Sequence, residues 1–166
     1  AGAGNGTGAD ETVAVGYNSL NALTEGSGNT AVGAFTLDAN ATSDYNCAFG
    51  WQALSAVNGD GTGGNVAMGY NAGGAITDGV LNVALGTSAL QSNQQSDRNI
   101  AIGYAALYYT SADSVGANIA IGTESGFYNA TGQNNTYVGH NSGMGASGYS
   151  NNSNTAVGQS SLLSIR

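Results

Sequence analysis

The chain has 166 residues, with 28 Gly, no Pro, no Lys, two Arg (Arg98 and Arg166) and ten Asp and Glu, for a net charge of −8. That balance argues against nucleic acid and against anionic membrane surfaces, both of which recruit basic side chains. Much of the 41% hydrophobic fraction is Ala, so an isolated core would be thin: burying a Val or Leu gives about 1.5–3 kcal/mol, while ordering each backbone residue costs about 1–2 kcal/mol.

Such a Gly- and Asn-rich acidic composition also suits disorder, but a registered repeat argues against it. A five-residue stretch reading roughly Asn-Thr/Val/Ile-Ala-Val/Ile/Leu/Met-Gly recurs nine times. It closes at Gly16, Gly33, Gly50, Gly69, Gly86, Gly103, Gly122, Gly139 and Gly158, at intervals of 17 or 19 residues. A short fixed period is the mark of a solenoid, in which each repeat is one coil stacked on its neighbours. The prediction is an all-β fold, a parallel β-roll or β-solenoid of about nine coils. Residues 1–11 are read as an N-terminal edge or partial coil and residues 12–166 as the repeat domain.

Each copy begins, four positions before its Gly, with Thr12 and then Asn29, Asn46, Asn65, Asn82, Asn99, Asn118, Asn135 and Asn154. Asn tolerates left-handed backbone, and stacked Asn side chains can hydrogen-bond from coil to coil, so this column is assigned to a corner. Branched or apolar residues follow at the first and third positions after it, as in Val83 and Leu85 or Ile100 and Ile102. Between them stands Ala14, Ala31, Ala48, Ala67, Ala84, Ala101, Ala120 and Ala156, replaced once by Tyr137. Period-2 alternation puts the branched pair on one face and Ala on the other. Ala is a weak strand former, so a column held this small predicts a close second surface, either another part of the coil or another chain. The preferred expectation is that partner subunits press against the Ala side.

The Gly supplies a sharp bend. A small residue follows three positions later (Ser19, Thr36, Ala53, Ala72, Ala89, Ala106, Ser125, Ser142, Ser161), then Leu20, Leu37, Leu54, Leu90, Leu107 or Leu162, with Gly73, Gly126 and Gly143 in the other copies. This pair is read as a second inward-facing segment. Connectors of 8 or 10 residues complete each coil. Their length changes in steps of two, as a period-2 backbone requires, and their Gly, Ser, Asn and Asp content is that of outer turns. Cys47 falls in a column taken as inward, where it would be a small buried hydrophobe. No signal peptide or transmembrane run is visible. The chain opens at Ala1 without Met and ends at Arg166 partway into a connector, as a piece of something longer would.

The unit at residues 29–37 and 154–162, Asn-Thr-Ala-Val-Gly followed by a small residue and Leu, resembles the head repeat of trimeric autotransporter adhesins of the YadA type. It is still more similar to the longer NTAVG-type repeats of phage tail-fibre proteins. The resemblance covers residues 12–166. It implies a left-handed roll, three chains packed around one axis, and a role in adhesion or receptor contact. The connectors are longer than in the adhesin heads, and no anchor, stalk heptad or chaperone domain is present in this stretch.

Catalysis has little support. His140 is the one histidine and occupies the variable position after Gly that also holds Tyr17, Trp51, Tyr70, Tyr104 and Gln159. Asp38 and Asp44, or Asp78 and Asp97, show no repeated pairing suited to acid–base work. The stretch from Asn58 through Asp60 is similar to a calcium loop but lacks its later Glu, and is read as a turn; no cofactor or metal is expected. Asn-x-Ser/Thr sequons at Asn5, Asn40, Asn129, Asn134 and Asn151 are what an Asn- and Thr-rich chain contains by chance.

The candidates for receptor contact are aromatic: Tyr108 and Tyr109 in one long connector, Phe127 and Tyr128 in the next, and Tyr149 in the last. They could form a ridge that stacks on sugar rings, or could merely cap the core or pack between chains. The expected function is a homotrimeric fibre segment, a rigid spacer on a phage tail or capsid that contacts a host surface receptor, a glycan among the candidates. The alternative is the head of a bacterial surface adhesin. An ice-binding solenoid would need a regular Thr array, which the mixed column Val13, Thr30, Cys47, Val66 and Ile100 does not provide. A glycan-degrading β-helix would need clustered carboxylates in a groove.

Overall fold

The computed structural model describes residues 11–60, 62–110, 116–145 and 152–164; the N-terminal edge at residues 1–10, Tyr149 and Arg166 lie outside them. Each copy of the repeat forms one three-residue strand: β1 (Val13–Val15), β2 (Thr30–Val32), β3 (Cys47–Phe49), β4 (Val66–Met68), β5 (Val83–Leu85), β6 (Ile100–Ile102), β7 (Ile119–Ile121), β8 (Thr136–Val138) and β9 (Thr155–Val157). They pair in parallel, each with the next, in one nine-stranded sheet ordered β1 to β9. The register advances by one whole repeat, so Ala14 lies beside Ala31, Ala84 beside Ala101, and Tyr137 beside Ala156. The fold is therefore a parallel β-solenoid, its nine strands bounding about eight turns.

The closing Gly ends every strand. Its φ lies between 115° and 140° along the column, a region that side chains exclude. The coils also touch there: a Cβ on Gly50 would sit 2.5 Å from the carbonyl oxygen of Gly69, and one on Gly86 would sit 2.6 Å from that of Gly103. The turn that follows is tight in an unusual way. Asn18 and Leu20, Phe35 and Leu37, Gln52 and Leu54, Ser88 and Leu90, and Ala105 and Leu107 all have φ of 48–58°. Bulky residues in left-handed backbone are strained by about 1–3 kcal/mol each and persist only where the surroundings hold them. Here the hold is a backbone ladder running along the stack, with Phe35 N donating to Tyr17 O at 2.9 Å and Leu54 N to Ala72 O at 3.0 Å.

The Asn column makes a second ladder at the opposite corner. From Asn29 to Asn135, each Asn Oδ1 accepts two bonds from the Asn of the next coil, one from its backbone N–H and one from its side-chain amide. Asn46 N and Nδ2 approach Asn29 Oδ1 at 2.9 and 3.2 Å, and Asn99 N and Nδ2 approach Asn82 Oδ1 at 2.9 and 3.1 Å. The amide then finds a further acceptor in the connector, Ser43 O for Asn29 and Ser96 O for Asn82. Where the connector is two residues longer, Asn46 and Asn99 use Ser43 Oγ and Ser96 Oγ instead. Satisfying every amide is what allows a column of polar side chains to be buried.

The core contradicts the expected orientation of the strand. Ala31, Ala48, Ala67, Ala101 and Ala120 are wholly buried inside their own chain, packed with Leu20, Leu37, Leu54, Leu90 and Leu107. The close second surface that keeps the Ala column small is thus the far wall of the same coil, and no partner subunit can press on it. The Leu segment is inward, as its pattern predicted. Cys47 is not in an inward column: it is half-buried on the outer face of the sheet, with its thiol free.

One coil solves the core differently. Tyr137 replaces Ala and is 1% exposed. Its ring fits because Gly126 and Gly143 replace Leu in that coil and its neighbour, and a Cβ at Gly143 would run into the ring. Burial pushes the Tyr137 phenol above the usual tyrosine range, opposed by a hydrogen bond with the Asn154 side chain. A similar exchange occurs at Gly73, where the side chains of Leu54 and Ile76 occupy the space of the missing Leu.

Candidate functional site

Three surfaces could carry function. The first is the outer face of the sheet, built from the residues on either side of each Ala. Thr30, Thr136 and Thr155 are its only polar members apart from the thiol of Cys47, and no charged residue falls on it. Every side chain there is exposed or half-buried. Among its apolar members Val13, Val15, Met68 and Val157 are the most open, at 49, 55, 53 and 70%. Eight rung spacings of about 4.8 Å make this strip about 38 Å long. A contiguous apolar strip of that extent is unusual on a surface that stays in water.

The second surface holds the sequence-derived receptor candidates. Tyr108, Tyr109, Phe127 and Tyr128 form a two-by-two block across adjacent coils. Tyr109 stacks on Tyr128 with ring centres 5.6 Å apart and planes 3° from parallel, and Tyr108 stacks on Phe127 at 5.2 Å. The neighbours within each coil meet edge to face at 4.7 and 4.8 Å. Tyr109 is the most open, at 44%, and the other three are half-buried. Tyr149, the proposed end of the ridge, lies outside the described residues.

The third surface is a second aromatic array that composition did not single out as a unit. Tyr17, Phe35, Trp51 and Tyr70 run up four successive coils beside the sheet. Tyr17 meets Phe35 edge-on at 5.3 Å, Phe35 meets Trp51 edge-on at 6.3 Å, and Trp51 stacks on Tyr70 at 5.0 Å with planes 8° apart. Tyr17, Trp51 and Tyr70 were visible in the column after Gly. Phe35 sits one position later and was missed, because its membership depends on how its ring reaches sideways.

Two of the acids do structural work at the coil corner. Asp44 Oδ1 accepts from Ser27 N at 2.8 Å, Asp97 Oδ1 from Val80 N at 2.9 Å, and Asn152 Oδ1 from Gln133 N at 2.8 Å, one corner bond repeated along the stack. Asp60 and Asp78 border a shallow cleft of about 180 Å³ with Ser43, Thr62 and Thr77, small beside the roughly 300–1,000 Å³ of most ligand pockets. Asp60 accepts a bond from Thr42 Oγ1 at 3.2 Å. Among the described residues no three His, Cys, Asp or Glu gather where they could hold a metal ion. Among the described residues Asp38 is the one perturbed acid: burial pushes its carboxyl above the usual carboxylate range, and its Oδ1 is buried with no hydrogen-bond partner. His140 is exposed. Among the described residues no helix is long and apolar enough to cross a membrane.

No protein-family model, curated protein or solved structure matches the chain.

Proposed function

We propose that the chain is a segment of a homotrimeric fibre, a left-handed roll that serves as a rigid spacer and meets a host surface receptor through its outer connectors. The observation that carries this reading is the uncharged apolar strip along the outer face of β1–β9. Side chains such as Met68 and Val157 stand more than half exposed in a lone chain, and covering them with identical strips of neighbouring chains removes the largest hydrophobic liability of the molecule. The interface therefore belongs on the branched side of the strands rather than the Ala side. The acidic connectors then face outward, where mutual repulsion keeps fibres soluble.

The long NTAVG-type repeat favours a phage tail or capsid fibre on the virion surface. The head of a bacterial trimeric autotransporter adhesin is the second reading, carried by the same repeat. Neither assigns a catalytic step, and the use of Asp44 and Asp97 in coil-corner bonds accords with a structural and adhesive role. Light scattering on the purified protein tests the assembly: a mass of three chains is expected, and a stable, well-folded monomer would overturn it. Retention of the protein by host cells, reduced when Tyr109 and Tyr128 are replaced by Ala, tests the receptor contact.

A further inference from the structure

The column immediately after the closing Gly reads Tyr17, Ala34, Trp51, Tyr70, Thr87, Tyr104, Thr123 and His140 over the first eight coils. Its backbone is held rung by rung: Ser88 N donates to Tyr70 O at 2.9 Å, Ala105 N to Thr87 O at 3.0 Å, Glu124 N to Tyr104 O at 2.8 Å, and Asn141 N to Thr123 O at 3.0 Å. Wherever a small residue separates two rings, those rings belong to coils two rungs apart, a spacing of about 9.6 Å. This happens three times, over Ala34, over Thr87 and over Thr123.

The first gap shows what such a space accepts. Phe35 fills it with a ring, edge-on to Tyr17 and to Trp51 at an interplanar angle of 77° in both cases. A flat ring lying parallel to both walls would need only about 7–8 Å, at carbon–carbon contacts of about 3.5–4.0 Å, so the gap is too wide for a stacked planar ring. In the other two gaps the position of Phe35 is taken by Ser88 and Glu124, which bring no ring. Thr87 and Thr123, their floors, are exposed, and so are Tyr70 and Tyr104, at 53 and 54%. Trp51 covers one face of Tyr70, which leaves the other turned toward the rung of Thr87.

We propose that these two gaps are saccharide slots, each taking one neutral pyranose ring between Tyr70 and Tyr104 over Thr87, or between Tyr104 and His140 over Thr123. A chair is thicker than an aromatic ring because axial C–H groups project from both faces, which suits walls about 9.6 Å apart. Those C–H faces pack on the rings, while the equatorial hydroxyls reach the Thr hydroxyl or water. The net charge of −8 selects against acidic sugars. The slots extend the receptor-contact role of the fibre but lie within a single chain and are separate from the Tyr108 block.

The test is saturation-transfer NMR on the intact protein with soluble neutral oligosaccharides of glucose, galactose, mannose and N-acetylglucosamine. At least one member should bind. Tyr104→Ala, which removes the wall shared by both slots, should weaken it about tenfold or more, whereas Tyr104→Phe should retain it. Thr87→Phe, which puts a ring into its gap from the floor, as Phe35 does in the first gap from the following position, should abolish the share of signal due to that slot. Thr87 is exposed, so its replacement reports even where Tyr104→Ala fails to fold. Binding by no member of the panel, or binding that survives both Tyr104→Ala and Thr87→Phe, overturns the proposal. Light scattering on the same sample separates the two readings: a monomer that binds sugar refutes the trimer alone, and a trimer that binds none refutes the slots alone.

Discussion

The two faces of each strand invert the usual relation between side-chain size and burial. Inside, Ala67 and Ala101 are completely covered; outside, Met68 stands 53% exposed and Ile102 is only half-buried. The coil is so narrow that its interior has room for a methyl group opposite a Leu and for little else. The larger side chains are left on the outside. Size is set inside by the far wall of the same coil, and outside by whatever covers the sheet.

The inner face should therefore be the less forgiving. Ala101→Leu forces a branched side chain against Leu90 or Leu107 and should destabilise the coil by about 3 kcal/mol or more, read by denaturant unfolding. Gly143→Leu should do comparable damage by meeting the Tyr137 ring, and Tyr137→Ala in the same chain should restore much of the loss. A strictly additive pair would break the idea that Tyr137 and its two Gly share one volume.

On the outer face, Ile102→Asp should leave the circular dichroism of the coil intact while lowering the assembled mass toward one chain, since the charge would be buried only in the assembly. Unchanged mass would separate this face from any interface. Asn82→Ala acts along the ladder instead: it removes the acceptor for Asn99 N and Nδ2 and should cost about 1–3 kcal/mol through unsatisfied buried groups.

The smallest effect belongs to Asp38. Its carboxyl is pushed up by burial, so the folded chain holds this proton more tightly than the unfolded chain. Its contribution to stability is complete below the ordinary carboxylate range and is lost as pH rises through the raised value. Asp38→Asn should thus raise the melting temperature slightly at pH 7 and leave it unchanged at pH 3.

Much of the architecture was legible because it repeats. Nine copies of one strand, connectors that change by two residues, and an Asn at the same place in eight coils point to a parallel stack with a polar corner. The inner and outer faces were not legible, since alternation says that two faces differ and not which one is enclosed; only the width of the coil decides that. Left-handed Leu20, Leu37 and Leu54 left no signal either, because their residue type argues against that conformation and only the inter-coil ladder holds them there. A further buried column, Leu23, Asn40, Val57, Ile76, Asn93, Thr110 and Asn129, was hidden by its mixed chemistry. Its Asn members are buried by bonding locally, as Asn40 does with Ser43 N and O. At the candidate sites, the connector aromatics were found by type, whereas the Tyr17–Tyr70 array needed the geometry of Phe35.

The sharpest measurement is the thiol reactivity of Met68→Cys in a Cys47→Ser background. This position is wide open in a single chain, so its protection can come only from a neighbour. Slow labelling of the native protein, rising to the free-thiol rate on denaturation, is the expected result. Labelling at the free-thiol rate in a folded chain would mean that nothing covers the branched side of the strands, and the trimer would be excluded.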